Sequence, residues 1–499
     1  MIVRHFLKLL AIALLVIAFT SCSDSTKEDL EPNVPTEFIP SNESTIYFAS
    51  GAEFAGNGGE LTITFTCNKK WKATSTKDWC KITPQDGNYG YNSMVVNVST
   101  NPTLENRDAV ITIVVEGQNN YIAVKQSGSE TGKVHVDKAG DLVTLLSADI
   151  TKIKELTISG QLNGSDFKVL REMSNNLKKL DISDVCIVEG GDSYFYDANQ
   201  KHYTKKDILP YWGMGYFTEL KEIILPKSIE QIDDYAFIGC SELKNIDIPQ
   251  TVKHIGDAAF YGCASLDSVI VPQHVTVIST SAFYNCSNLK QIDLPENLDS
   301  IGTMAFAGCK SLSEIKLNEG LRIIEINAFY DCPTLKDINI PQTVDYIGIS
   351  AFSGCSSLEK LTLHKGVEDC HSIFLSSNGY CGLKKLTVHF NNFPMMFLND
   401  CINLEELILE NGLEVFKGVT NLEETPNLKE LVIPSTIREM DLGKNSLLQL
   451  HVKTENPPIT GSWFKEYCEN CTLYIPKGCK DAYINAGNPW TLFKDIIEE

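Results

Sequence analysis

Residues 236–248 read A-F-I-G-C-S-E-L-K-N-I-D-I, and residues 259–271 repeat the pattern 23 positions later as A-F-Y-G-C-A-S-L-D-S-V-I-V. The same spacing continues through four more units. The cysteines of the six units are Cys240, Cys263, Cys286, Cys309, Cys332 and Cys355. Each follows a Phe by three residues and precedes a Leu by three. A fixed period of this length predicts a repeat protein in which each unit stacks only on its neighbours.

Each unit contains signals for three short segments. Apolar residues alternate in the segment that ends at Pro249, which predicts a strand that stops because proline has no N–H to donate. Val252 and Ile255 predict a second extended piece. The A-F-x-x-C-x-x-L stretch has helical spacing and predicts about one helical turn. Because so small a unit cannot bury its apolar side alone, the sequence predicts a stacked solenoid.

Degenerate copies of the unit extend the repeat in both directions. The pattern predicts an N-terminal cap over residues 129–176, repeats over 177–476 and a C-terminal cap over 477–499. Roughly fourteen stacked units, here called rungs, fit between residues 150 and 476. We expect the segment 471–476 to form the last strand, followed by an aromatic-rich helix around Trp490 and Phe493.

These repeats resemble a known family. Six consecutive A-F-x-x-C-x-x-L units, and the stretch L-Y-I-P-K-G-C-K-D-A-Y at residues 473–483, resemble the BspA-like leucine-rich repeats. The resemblance covers residues 150–499. Members are commonly bacterial surface proteins linked to adhesion, so it implies a binding role.

Residues 45–128 lack the period and show short alternating runs instead, such as Leu61–Phe65 and Val110–Val115. Such runs, separated by Gly- and Asn-rich turns, predict a β-sandwich. The segment resembles the BACON module of Bacteroidetes surface proteins. The residues that carry this resemblance are Trp71, Trp79, Pro84, Gly87, Asn101, Arg107 and the final Gln126-Ser127-Gly128. The predicted fold class is therefore multidomain and β-rich: an immunoglobulin-like β-sandwich followed by a leucine-rich-repeat solenoid.

The first 44 residues have the composition of an export signal and a tether. A basic start precedes an apolar run, Leu9–Phe19, that is too short to span a bilayer, so residues 1–21 predict a signal peptide. Small residues before Cys22 resemble a lipobox, and residues 22–44 predict a lipidated polar tether. The acidic stretch behind Cys22 resembles the surface-export signal of Bacteroidetes lipoproteins. We expect a surface-exposed outer-membrane lipoprotein that meets the membrane only through its lipid.

The repeat cysteines predict structure rather than chemistry. Identical positions in stacked rungs place the thiols in one column, as small hydrophobic groups with weak S–H donors to the backbone. Two further sets lie outside the predicted column and could form disulfides. They are Cys370 with Cys381, and Cys468 with Cys471 and Cys479. We expect no metal or other cofactor, since no second pair or nearby His accompanies Cys468-x-x-Cys471.

Charge and motifs exclude several functions. The chain has 43 basic and 64 acidic residues, a net charge of −21, which disfavours nucleic acid as a partner. No zinc-protease, phosphate-loop, serine-hydrolase or dinucleotide motif occurs in the sequence. The sequence therefore predicts a protein that is not an enzyme.

Two regions carry candidate ligand-binding residues. Framework positions barely change between repeats, whereas the exposed position within the first strand changes from one repeat to the next. We single out Asp247, Asp293, Lys316 and Asn339 from this column. The non-repeating stretch 186–216 adds a cluster of aromatic candidates. They are Tyr194, Tyr196, Tyr203, Tyr211 and Trp212.

Two functional hypotheses remain open. A broad polar ladder favours adhesin-like binding of host or microbial proteins by a monomer, with the sandwich as a spacer. The alternative is a glycan- or mucin-binding lipoprotein of a polysaccharide-uptake system, which the BACON resemblance implies. In that case Trp71 and Trp79 would stack on sugar rings, although a sandwich tryptophan more often fills the core.

Overall fold

The computed structural model describes residues 36–146, 150–197, 200–367, 373–374, 381–393, 398, 401–416, 422, 425–461 and 468–499. The predicted signal peptide, Cys22 and Cys370 lie outside these residues. The chain divides into two compact units, which are treated separately below.

The first unit is built from two antiparallel sheets and one short helix, α1 (Thr45–Ser50). Its strands are β1 (Phe38–Pro40), β2 (Ala52–Phe54), β3 (Gly59–Cys67), β4 (Trp71–Ser75), β5 (Cys80–Thr83), β6 (Asp86–Gly87), β7 (Gly90–Val98), β8 (Arg107–Val115) and β9 (Gln118–Gln126). One sheet has the order β1-β3-β7-β5, and the other has the order β2-β9-β8-β4-β6. This arrangement agrees with the predicted sandwich.

Alternating side chains fill the core between the two sheets. Phe65 on β3 meets Trp71 on β4 edge to face, with 5.0 Å between ring centroids. Phe38 packs against Phe48 at 5.3 Å and against Phe65 at 4.9 Å. Phe38 belongs to the apolar core, so β1 is part of the sandwich and the sandwich begins before residue 45. The sequence analysis had assigned these residues to the tether.

The second unit contains the solenoid, whose rungs pair in parallel. The first strands of successive rungs form one sheet from β10 to β22 and another from β26 to β35. They are β10 (Thr131–Val136), β11 (Glu155–Leu162), β12 (Lys179–Ile187), β16 (Glu222–Ile224), β18 (Asn245–Ile246), β20 (Ser268–Ile270), β22 (Gln291–Asp293), β26 (Lys360–Leu363), β27 (Lys385–Val388), β28 (Glu406–Leu409), β30 (Glu430–Ile433), β32 (Gln449–Val452), β34 (Thr472–Ile475) and β35 (Asp495–Glu498).

The second strands of the rungs form shorter parallel sheets. They are β15 (Ile208–Leu209), β17 (Gln231–Ile232), β19 (His254–Ile255), β21 (Val277–Ile278), β23 (Ser300–Ile301), β24 (Ile323–Ile324), β25 (Tyr346–Ile347), β29 (Val415–Phe416), β31 (Glu439–Met440) and β33 (Ile459–Thr460). An antiparallel hairpin, β13 (Gly190–Asp197) and β14 (Gln200–Thr204), interrupts the early rungs. The helices of this unit are α2 (Leu142–Leu145), α3 (Gly164–Glu172) and α4 (Lys480–Asn485), and 3₁₀ turns occur at Ile150–Lys152 and Trp490–Leu492.

Equivalent residues stack on one another, as the period requires. Leu156 pairs with Leu180, which in turn pairs with Ile223. The repeat phenylalanines are buried and stack from Phe237 to Phe352 with centroid separations of 5.2–5.6 Å. The solenoid has about fourteen turns, which confirms the predicted fold class.

The A-F-x-x-C-x-x-L segments are not helical, so that expectation is wrong. Successive turns form instead: the Cys240 N–H donates to the Phe237 carbonyl at 3.1 Å, whereas the Phe237 N–H donates to Ala259 of the next rung at 2.8 Å. Tyr235 and Gly239 have positive φ angles of 58° and 68°. Each of these segments thus has two left-handed residues four positions apart, which end any helix, and alternate N–H groups point toward the neighbouring rung.

The chain also ends differently from the prediction. A short helix occupies Lys480–Asn485, and only a 3₁₀ turn forms at Trp490, whose ring packs edge to face on Tyr483 at 5.1 Å. Strand β35 then pairs in parallel with β34, so 472–475 is not the last strand. The added strand satisfies backbone groups that would otherwise be left open along β34. No helix among the described residues is long and apolar enough to cross a membrane.

Candidate functional site

The outward residues of the first strands form a varied surface, here called the strand face. Within one rung Ile246 and Ile248 are buried while Asp247 between them is exposed. Along the rungs this outward position reads Asp247, Ile270, Asp293, Lys316, Asn339 and Thr362. All are exposed except Thr362, which is half-buried. The structure therefore puts the four candidates of this column on one surface.

A cleft of about 1030 Å³ opens on the strand face. Asp293, Lys316 and Asn339 line it, whereas Asp247 lies outside it. Five of its lining residues are acidic and one, Lys316, is basic. The acidic residues are Asp293, Glu296, Glu314, Glu319 and Asp337. Three of the four candidate residues of the column thus belong to one acidic cleft.

The cleft coincides with an interruption of the main-chain ladder. Pairing of first strands stops at β22 and resumes at β26, and the described residues between them form only one bridge, from Glu314 to Asp337. The other sides of these rungs stay continuous: β21, β23, β24 and β25 form one sheet, and Phe306 stacks on Phe329 at 5.4 Å. These rungs therefore stay joined through their second strands and their phenylalanine stack where the first-strand ladder is interrupted.

Elsewhere in the solenoid, several carboxylates are paired with cations of the neighbouring rung. Lys290 contacts Asp267 at 2.6 Å, and Lys253 contacts Glu230 at 2.8 Å. The hydrogen bond from Lys253 lowers the pKa of Glu230. Within the part of the chain that the structure describes, the five cleft carboxylates form no ion pair. The cleft thus has an excess of negative charge that its own side chains leave unbalanced.

The aromatic stretch 186–216 is largely packed on itself. Tyr194 is buried, and burial raises its pKa. Trp212 stacks on Phe195 with 4.8 Å between centroids, and Tyr211 stacks on His202 at 4.0 Å. Of the five candidates in this stretch, only Tyr196 and Tyr203 are mainly exposed, at 60% and 50%. Most of this cluster closes the early rungs rather than facing solvent.

Two polar residues that the sequence did not single out hold this cluster together. Asp197 accepts a hydrogen bond from the Tyr211 hydroxyl at 2.7 Å and lies 2.8 Å from His202 Nε2. The hydrogen bond from Tyr211, and then that from His202, lower the pKa of Asp197. The Arg171 guanidinium lies over the Phe195 ring at 4.9 Å and donates to the Trp212 carbonyl. No sequence pattern marks Asp197 or Arg171, and only their contacts in the folded protein identify them.

The two sandwich tryptophans differ. Trp71 is 3% exposed, so it fills the core and cannot stack on a sugar, which makes its assignment as a glycan-stacking residue wrong. Trp79 is half-buried. The sequence analysis missed Tyr89 and Tyr91, which are 76% and 72% exposed. Tyr91 lies on β7 and Tyr89 lies in the turn directly before it.

The repeat cysteines behave as predicted. The Cys263 thiol donates to the Phe237 carbonyl at 3.3 Å, and the same contact recurs along the column. Burial raises the pKa of Cys240 to about 12, which disfavours the thiolate needed for redox or metal chemistry. Cys381 was expected outside the column, but its sulfur lies 3.8 Å from that of Cys401, a column position. In the rung after Cys355, Cys381 therefore fills the column position, three residues later than the 23-residue period would place it.

The C-terminal cysteines are buried or half-buried thiols. Cys468 and Cys471 are buried, which raises the pKa of each to about 12, and Cys479 is half-buried. Within the described residues these three cysteines form no disulfide, so the pairing that the sequence left open does not occur there. Across the described ranges, no group of His, Cys, Asp and Glu side chains is arranged to hold a metal ion.

Two protein-family profiles match the sequence. The BspA type leucine-rich repeat region, in six copies, matches residues 214–336 and 322–447. The viral BACON domain matches residues 43–129. Both families consist of non-catalytic kinds of protein. No curated protein matches the sequence.

Several solved structures share similarity with this chain. A leucine-rich repeat protein from Bacteroides ovatus is 22% identical, over 68% of this chain and 87% of its own, with a TM-score of 0.45. A leucine-rich cell surface protein from Faecalibacterium prausnitzii is 21% identical, over 56% and 79%, with a TM-score of 0.29. A leucine-rich repeat protein from Eubacterium ventriosum is 18% identical, over 66% and 90%, with a TM-score of 0.28.

Proposed function

Because the chain is a BspA-like leucine-rich repeat protein with an N-terminal BACON domain, we propose that it is a non-catalytic surface lipoprotein that binds protein partners through its strand face. The BACON domain acts as the spacer between a lipid on Cys22 and the solenoid. The proposal places the protein on the outer membrane, facing outward, as a monomer.

The contrast between a constant framework and a varied strand face carries this proposal. Buried positions repeat the same residue types in each rung, whereas the exposed column changes from Asp247 to Ile270 to Lys316. Outward side chains make no contribution to the stacked core, so a change there leaves the fold intact. A broad polar face with a cleft of about 1030 Å³ suits a protein surface, which buries many such side chains at once.

A binding screen tests the proposal. The full chain without its signal peptide is presented to panels of extracellular-matrix proteins, bacterial surface proteins and glycans, and binding is measured by surface plasmon resonance. We expect a protein ligand whose affinity falls in the Lys316→Glu variant. The control is Lys227→Glu, the same charge change on an exposed lysine behind Pro226 and outside the strand face. Equal loss in both variants, or glycan binding alone, would refute binding through this face.

The lipid anchor has a separate test. Mass spectrometry of the N-terminal peptide from membrane fractions should show a diacylated or triacylated Cys22, and Cys22→Ser should release the protein from the membrane. Protease treatment of intact cells then reports whether the solenoid faces outward. An unmodified Cys22 in membrane-bound protein would contradict the anchor.

Glycan binding by the sandwich is the second candidate, and two exposed tyrosines favour it. Tyr89 and Tyr91 present rings of the kind on which sugars stack, and both are more than two-thirds exposed. If this candidate holds, Tyr89→Ala with Tyr91→Ala abolishes binding in the glycan panel. Tyr121→Ala, at a tyrosine that is 55% exposed on β9, serves as the matched control.

A further inference from the structure

We propose that Cys381 and Cys401, which lie on adjacent rungs, form a disulfide bond when the chain folds in an oxidising compartment. The Sγ atoms of these two residues are 3.8 Å apart. The bond is a covalent link between rungs, so it goes beyond the binding of a partner by the strand face. It rests on the proposed function only for the compartment, because export to the cell surface brings the folding chain into contact with disulfide oxidants.

In the regular repeats the thiols are directed at carbonyl groups rather than at one another. The Cys263 thiol donates to the Phe237 carbonyl at 3.3 Å. The same contact recurs along the column as far as Cys355, which donates to the Phe329 carbonyl at 3.2 Å. Because each of these cysteines occupies the same place in its rung, their side chains point the same way, and this orientation disfavours a disulfide between neighbours.

Cys381 departs from this regular arrangement. Each cysteine of the six regular units precedes a leucine by three residues, as Cys401 precedes Leu404, but Cys381 precedes Leu383 by only two. Within the described part of the chain, the Cys381 thiol does not donate to the Phe352 carbonyl, which the pattern of the column assigns to it. The two rungs are thus offset by one residue at their cysteines, and this offset removes the shared orientation that keeps the other thiols apart.

The stacking of the two rungs places both cysteines within reach of a disulfide. Strands β27 and β28, which follow the two cysteines, pair in parallel, and paired strands lie about 4.7–4.9 Å apart. Disulfides join residues whose Cα atoms are about 4.4–6.8 Å apart, so the spacing between rungs is suitable. The Asn403 side chain donates to the Cys381 carbonyl at 3.0 Å and holds the two turns together. The sulfur atoms therefore reach the bonded distance of about 2.05 Å by side-chain rotation, without separation of the rungs.

Bond formation is a thiol–disulfide exchange with a small disulfide oxidant, for which glutathione disulfide is the probe. One cysteine thiol loses its proton and attacks a sulfur of glutathione disulfide, which releases one glutathione. The second cysteine thiol loses its proton and attacks the protein sulfur of this mixed disulfide, which releases the second glutathione. The protein gives up two protons and two electrons, and both go to the two glutathione thiols. Since Cys381 and Cys401 are buried in the folded chain, the exchange takes place while these rungs assemble.

Disulfide mapping of the full chain without its signal peptide tests the inference. The purified chain is incubated with oxidised and reduced glutathione at its urea midpoint, where the rungs open and close, and is then denatured, alkylated and digested for mass spectrometry. We expect a peptide pair joined through Cys381 and Cys401, and two fewer alkylated cysteines than in chain incubated with a reductant. Full alkylation of both residues, or a bond from Cys381 to Cys370 instead, would overturn the inference.

Matched variants provide a second readout, the urea midpoint. A reductant should lower the midpoint of the oxidised wild-type chain, because a disulfide restricts the unfolded chain, and should leave that of Cys381→Ser with Cys401→Ser unchanged. The control, Cys286→Ser with Cys309→Ser, removes two neighbouring column thiols that donate to carbonyls, and should keep the response to reductant. If the reductant lowers the midpoint of the Cys381 and Cys401 variant as much as that of the wild type, another disulfide carries the effect and the inference fails.

The inference and the proposed function fail separately. The same mapping is applied to the chain isolated from membrane fractions, where we expect the same bond between Cys381 and Cys401. If the bond forms with glutathione but both thiols are reduced in the membrane fraction, the compartment in the proposed function is wrong. If no bond forms with glutathione, the inference is wrong, whichever partner the strand face binds.

Discussion

Replacement of Gly262 measures how strongly left-handed turns hold the solenoid together. Gly262 has φ +71°, and a Cβ built there would meet nothing closer than Gly239 Cα at 3.8 Å. Steric contact therefore adds little, and the cost of a side chain comes from the backbone conformation alone. A left-handed conformation costs an ordinary L-residue about 1–2 kcal/mol, Asn less, and a β-branched residue more.

The expected order of destabilisation is therefore Gly262→Asn, then Gly262→Ala at about 1 kcal/mol, then Gly262→Val at about 2 kcal/mol or more. The repeat itself supports the first step, since Asn285 occupies the equivalent position one period later with φ 57°. Equilibrium urea denaturation followed by far-UV circular dichroism gives the differences, compared at a common m-value. Equal costs for Asn and Val would refute the argument that this position selects for left-handed backbone.

Three further predictions concern the core, the thiols and the aromatic cluster. Phe306→Ala should cost about 3–5 kcal/mol in urea denaturation, because the ring is fully buried between two stacked neighbours; a cost below 1 kcal/mol would show that the stack contributes little. Among the described cysteines, the exposed Cys186 should react with a disulfide reagent at mildly alkaline pH, whereas Cys240, whose pKa burial raises to about 12, should react only after unfolding. Tyr211→Phe should shift acid unfolding to higher pH, because hydrogen bonds lower the pKa of Asp197, and the resulting stability is present above its unfolded value and lost as pH falls through the folded one. An unchanged acid midpoint would exclude this contribution.

The period predicts the stack because it fixes which residues meet. Phe, Cys and Leu recur at identical spacing, and identical residues on adjacent rungs can only bury their apolar surface against each other, as the stacked pair Phe237 and Phe260 does at 5.2 Å. The same argument predicted the buried thiols and their S–H donors. A single sequence is thus enough to predict the contacts between neighbouring repeats.

The 23-residue period predicted neither the turns nor the cleft, for different reasons. The turn signal was present: Gly, Asn or Asp precedes every repeat cysteine, and these are the residues that tolerate a left-handed conformation. The helical spacing of Phe, Cys and Leu nevertheless predicted a helical turn, which the structure does not contain. The open ladder has no comparable signal, because Ile292, Ile315 and Ile338 continue the framework through it. Whether adjacent strands pair depends on small displacements between rungs, which residue types do not encode.

The acidic cleft illustrates that buried and outward positions of a repeat are under different constraints. Buried positions must keep their residue types, since each side chain packs against the rung on either side. Outward positions carry no such constraint, and the solenoid elsewhere uses them for ion pairs such as that between Lys290 and Asp267. At Glu314 and Asp337 the rungs instead bring two carboxylates together and leave the main chain beside them open. Outward residues can therefore differ from rung to rung, and even bring like charges together, without disturbing the buried stack.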